Sequence, residues 1–239
     1  MTAPNSTQRG EKKESLLLNL VLNIIIPTVV LTKFSGEDAL GPRLSIVVAL
    51  AFPIIYGLMN FVKQRKINFF SALGVVSVFL TGGISLLELP PKYIAIKEAA
   101  IPAALGIATL CSTLTKYPLV RIFLYNDNIL ATDLIADRLE QRGNTLAFKQ
   151  VLVMSSYIVA ASFFLSSALN YLLAKLVVVS QPGTEAFAEE LGKMTAYSYI
   201  VIVIPSIVVM IFAMYYLFRK ITRLTGLALE DVFLDTKGK

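Results

Sequence analysis

Two ionisable residues sit side by side in an apolar stretch: Lys97 and Glu98, in "KYIAIKEAAIPAALG". Charges at membrane depth are costly to hold and are often kept for function. They stand near the start of their block, however, where a lysine stem can carry its ammonium out to an interface. Two expectations follow: a topological anchor with Lys97 near the outer membrane boundary, or a working ion pair. Lys175, towards the end of another apolar block, raises the same alternatives.

Amides form the second group. Asn19 and Asn23 are four apart, and Pro27 continues their face of a helix. Asn170 lies deep in "SSALNYLLAKL" and is expected to face the bundle interior. Such amides either hydrogen-bond between helices or line a polar path for a solute. Pro27, Pro53, Pro102 and Pro205 each remove a backbone donor inside an apolar block and permit a kink. Gly82 and Gly83, and the small-residue spacing Ala100, Ala104, Ala108 and Ser162, Ser166, are expected to let helices approach closely.

Covalent chemistry finds little support. The chain has no histidine, which excludes a histidine-based triad, and its single cysteine, Cys111, allows no internal disulfide. A zinc, haem or iron–sulfur site is not expected. The glycines lack phosphate-loop spacing. Asp133, Asp137 and Glu140 cluster at helical spacing, as a solvated helix face does. The expectation is a protein that is not an enzyme and carries no cofactor.

The elements that position these residues follow from hydropathy. Of 239 residues 56% are hydrophobic and 16% charged, with a mean hydropathy of +0.69. A soluble domain would carry roughly a quarter charged residues. The apolar residues fall in blocks near membrane-span length, on the order of 20 residues. Six blocks run from about 16 to 32, 44 to 62, 67 to 87, 93 to 114, 151 to 179 and 195 to 218.

Net charge is +6, but the basic residues flank the blocks, so they point to lipid headgroups rather than nucleic acid. Lysine plus arginine counts, connection by connection from the N-terminal tail, are about 3, 2, 3, 2 (Lys92 with Lys97 at the block's start), 5, 1 and 5. Rich and poor connections alternate, which predicts six spans with both ends in the cytoplasm.

The predicted fold is thus an all-α membrane bundle of six transmembrane helices. It has a cytoplasmic tail over 1–14, a six-span domain over 15–218 and a second cytoplasmic tail over 219–239. Within the bundle, 115–149 forms the one long cytoplasmic connection. Ile129, Leu130, Leu134, Ile135 and Leu139 give it an amphipathic helix, with Asp127 or Asn128 as cap and Gly143 as end. That helix would lie on the membrane surface or dock a cytoplasmic partner.

Across most of these spans the chain resembles the intracellular septation protein A family, small multi-pass proteins of the bacterial inner membrane. Pro27, Lys33, the basic turn Lys63 to Lys66, the Gly82–Gly83 pair and Lys97 carry the likeness. So do Lys116, Pro118, Leu119 and Arg121 in "KYPLVRIFL", and Asn170. The chain departs from the family in its longer N-terminus, its extended 122–149 segment and its lack of tryptophan. The resemblance implies an inner-membrane location and a non-enzymatic part in envelope maintenance or division. That part would be played through membrane-protein partners or a homo-oligomer. Independently of it, the prolines, the asparagines and the Lys97–Glu98 pair suit a small-molecule transporter, or the substrate-binding subunit of one.

Overall fold

The computed structural model describes residues 20–64, 69–115, 118–125 and 130–233. Asn19, Lys116, Asp127, Asn128 and Ile129 from the sequence analysis lie outside these residues, as does most of the basic turn after Lys63. So do the N-terminal tail and the last six residues.

Among the described residues the ordered elements are helices. A π turn, Val21–Ile25, leads into α1 (Ile26–Lys33). Then come α2 (Gly41–Gln64), α3 (Phe69–Leu86), α4 (Lys92–Ser112) and the single turn α5 (Val120–Phe123). After α6 (Thr132–Gln141) and α7 (Thr145–Val177), α8 (Glu185–Ser198) runs through a second π turn, Tyr199–Val203, into α9 (Ile204–Thr225). One turn, α10 (Leu229–Val232), follows.

Four helical stretches are long and apolar enough to cross a membrane: Gly41–Met59, Lys92–Ser112, Thr145–Val177 and Glu185–Thr225. Val21–Lys33 and Val76–Leu86 are shorter apolar helices. Among the described residues the protein is therefore an all-helical membrane protein with four candidate spans plus two shorter apolar helices. The last helix begins ten residues before the expected start near Thr195. Glu185, Glu189, Glu190 and Lys193 lowered the local hydropathy there, yet they punctuate a helix whose other face is buried.

Two of the four prolines do not interrupt regular helix. Pro27 and Pro205 both enter an α-helix immediately after a π turn. A proline ring crowds the carbonyl four residues back; here those residues, Asn23 and Val201, lie inside the widened turns. Pro53 and Pro102 sit within α2 and α4 themselves.

The chain folds as two compact units. The first holds the described residues up to Ala99 together with Asn170–Val201. In it α1 packs on α2 and α8, and α2 packs on α3. The inward face of α8 is Phe187, Ala188, Leu191, Gly192 and Met194, all buried. Gly192 lets α8 meet α1: a Cβ there would lie 2.7 Å from Thr32 Cγ2, 3.0 Å from Leu31 Cβ and 3.2 Å from the Thr28 carbonyl oxygen. Thr184 caps α8, its hydroxyl accepting from the Phe187 amide. One turn on, the Glu190 carboxylate accepts from the amides of Val179 and Ser180 and from the Ser180 hydroxyl, fixing the loop after α7.

The second unit holds the described residues of Ala100–Leu169 and those from Ile202 onward. Its core joins Leu124, Ile135, Leu139, Phe148, Leu152, Val159, Leu217, Ile221 and Val232. On the other face of α9, Ile204, Ile207, Val208, Ile211 and Phe212 are exposed up to Tyr215, whose ring and hydroxyl Arg219 covers. An apolar stripe ended by a tyrosine and an arginine is how a span meets the headgroups.

The amphipathic segment differs from its expected form. Its helix begins at Thr132, with Ala131 before it and no side-chain cap. Leu130 is not helical: it bridges to Phe233, and the Ala131 amide donates to the Val232 carbonyl. That backbone pairing fixes the residues just before the helix. Ile135 and Leu139 are buried against this unit's own core, and Leu134 is exposed. The apolar face expected to meet lipid or a partner is covered by residues of the same chain. Gly143, at φ 66°, follows the helix end as expected. From Arg219 the chain continues helically to Thr225. Gly226 turns it at φ 71°, and the Asn144 side-chain Nδ2 donates to the Leu224 carbonyl.

Candidate functional site: a buried lysine on a hydroxyl stripe

In α3, Ser77, Thr81 and Ser85 recur every four residues and so share one helix stripe. The neighbouring helix α4 buries Ile94 and, one turn on, Lys97. These follow from ordinary periodicity: the residue three after a buried isoleucine points the same way. Lys97 therefore cannot lie along the outside of its helix.

The structure places its Nζ 2.5 Å from Glu98 Oε1, with the Lys97 side chain only 5% exposed and that of Glu98 24%. The ammonium also donates to Thr81 Oγ1 at 2.7 Å and, more weakly, to Ser77 Oγ at 3.4 Å. Thr81 passes its own hydroxyl proton to the Ser77 carbonyl at 3.0 Å. The snorkelling anchor is thus replaced by a charge held inside the protein. Three oxygen partners replace the hydration that an ammonium gives up on burial.

One turn along the stripe Ser85 is 1% exposed, and its hydroxyl has no hydrogen-bond partner among the described residues. Thr28 Oγ1 in α1 is buried without a partner as well. Unpaired buried hydroxyls cost free energy, so each calls for a physical reason. Sequence reasoning passed over Ser77, Thr81 and Ser85. Their four-residue spacing in an apolar block was the available signal.

The other singled-out residues divide. Asn23 lies half-buried in the first π turn. Asn170 is half-buried and shares its stripe of α7 with the buried Leu173 and Ala174. Gly82 is buried and would bring a Cβ to 3.0 Å from Leu50 Cδ1, which makes it the close contact between α2 and α3. Gly83 has open space beside it. Ala100, Ala104 and Ala108 face outward on α4. In the second unit it is Gly106 that takes a close contact, with Phe164. Ser162 is buried and Ser166 half-buried. Lys175 rests over the Tyr171 ring.

No cluster of three or more metal-ligating histidine, cysteine, aspartate or glutamate side chains occurs among the described residues. What the Lys97 site holds is a buried ammonium–carboxylate pair with hydroxyl neighbours. Comparison with family models, curated proteins and solved structures finds no match to this chain.

Proposed function

We propose that this chain is a six-span protein of the bacterial cytoplasmic membrane, both ends inside, that carries a small polar solute and catalyses no covalent step. One observation carries the reading: an ammonium buried in a membrane helix, paired with a carboxylate and set on a stripe of hydroxyls. Intramembrane charge of this kind is expensive, and its ordinary use is to bind or pass something polar. The six spans draw on the alternation of basic connections and on the 18 residues of α3, about 27 Å of helix and close to the hydrocarbon thickness.

A liposome-swelling assay tests this without naming the solute in advance. Reconstituted protein is expected to speed the entry of at least one class among small neutral, cationic and anionic solutes, and Lys97→Gln to abolish that gain. Swelling no faster than in protein-free liposomes, or unchanged by Lys97→Gln, sinks the transport reading.

A second reading has its own support. Ala100, Ala104 and Ala108 present a small-residue face on the outside of α4, where another membrane helix could approach closely. That suits a septation-A-like envelope factor acting through partners. A complex recovered from native membranes and lost on Ala104→Phe is its expected sign.

A further inference from the structure

We propose that Lys97 is the binding group for a small monocarboxylate, with Glu98 the resident carboxylate that such an anion displaces. The inference deepens the reading above and rests on it only for how the anion arrives.

Glu98 is the very next residue, and consecutive side chains leave a helix about 100° apart. They do not face each other as residues four apart do. Its carboxylate therefore has to bend round its own helix to touch an ammonium that points inward. The exposures agree, with Glu98 several times more open than Lys97. A free carboxylate has no such tether. It can take the Nζ position directly while Glu98 swings to its open side.

The hydroxyls specify the rest. Thr81 Oγ1 spends its proton on the Ser77 carbonyl, so towards Lys97 it only accepts. Ser85, buried one turn further along the same stripe, keeps an unused O–H among the described residues. Thr81 and Ser77 hold the ammonium in place while the carboxylate on it is exchanged.

Charge sets the valence. α3 contains no ionisable residue, and one carboxylate balances the one ammonium. A single negative charge preserves that balance; a dianion such as phosphate or a dicarboxylate would leave an uncompensated charge in an apolar setting. Because the resident partner is itself a carboxylate, the ammonium is already set for that group.

The test uses the full-length protein in detergent and acetate as the probe, read by calorimetric titration at fixed pH. Saturable one-to-one binding is expected for the natural sequence. Glu98→Gln, which removes the resident competitor, is expected to bind acetate roughly tenfold tighter. Lys97→Gln is expected to lose binding while still eluting as a monodisperse species. Absence of binding in both the natural chain and Glu98→Gln overturns the proposal, as does equal binding by Lys97→Gln. Chloride or succinate competing as well as acetate overturns the monocarboxylate assignment. The two readings fail separately. Acetate binding without solute entry into liposomes removes transport and leaves the site. Entry of neutral or cationic solutes alone, with no acetate binding, removes this site and leaves transport.

Discussion

Replacing Lys97 with methionine is expected to lower the stability of the folded protein by about 3 kcal/mol, the lower end for breaking a buried ion pair. Methionine keeps the volume and apolar stem of lysine. What it removes is the partner of Glu98, along with the donor to Thr81 and Ser77. The lower end applies because Glu98 is a quarter exposed and regains some hydration. Glu98→Gln alone leaves the ammonium nearly enclosed and is expected to cost a comparable amount. The double variant, Lys97→Met with Glu98→Gln, is expected to recover most of the loss, since an absent pair leaves no orphaned charge. Unfolding titrations in mild detergent read all three. If the two single losses simply add in the double variant, the residues do not act as a pair.

Gly192→Ala is expected to cost about 3 kcal/mol, near the top of the range for overpacking. The added methyl would come within 3.2 Å of the backbone of α1 as well as within 3.0 Å of two of its side chains, so a rotamer change cannot relieve it. α1 and α8 have to move apart. Gly83→Ala provides the contrast. It is helical with nothing within 4 Å of the new methyl, so it is expected to be neutral or to stabilise by about 0.5–1 kcal/mol. The Gly82–Gly83 pair therefore divides into one packing residue and one bystander. Tm in the same detergent separates them, and equal losses at positions 83 and 192 would refute the packing account.

Much of this architecture was legible because it rests on composition. Apolar blocks of span length and basic flanks need no tertiary information, and the helices of the described residues lie where those blocks are. What escaped was decided by partners distant in sequence. The apolar face of α6 reads as a surface waiting for lipid, because nothing nearby in sequence says that α9 and the segment ending at Phe233 cover it. The start of α8 was hidden by its glutamates, since hydropathy averages over both faces of a helix while burial concerns one. At the site, Lys97 was visible as an ionisable residue in an apolar block. Its direction was not, because snorkelling and inward pairing use the same residue at the same position. Ser77, Thr81 and Ser85 went unremarked because hydroxyls in membrane helices usually bond back to their own backbone. Thr81 does so, and it also accepts from the lysine.

If the chain carries a polar solute past Lys97, water reaches the hydroxyl stripe beside it, and cysteine accessibility measures that. In a Cys111→Ser background, cysteine is placed at Ser77, Thr81 or Ser85, and separately at Val76, which faces outward on α3. Sealed membranes are then treated with a small charged thiosulfonate. Modification is expected at the three stripe positions and none at Val76→Cys, with acetate slowing the reaction at Thr81→Cys. Stripe cysteines as inert as Val76→Cys in the membrane, yet reactive once the protein is unfolded, would contradict it.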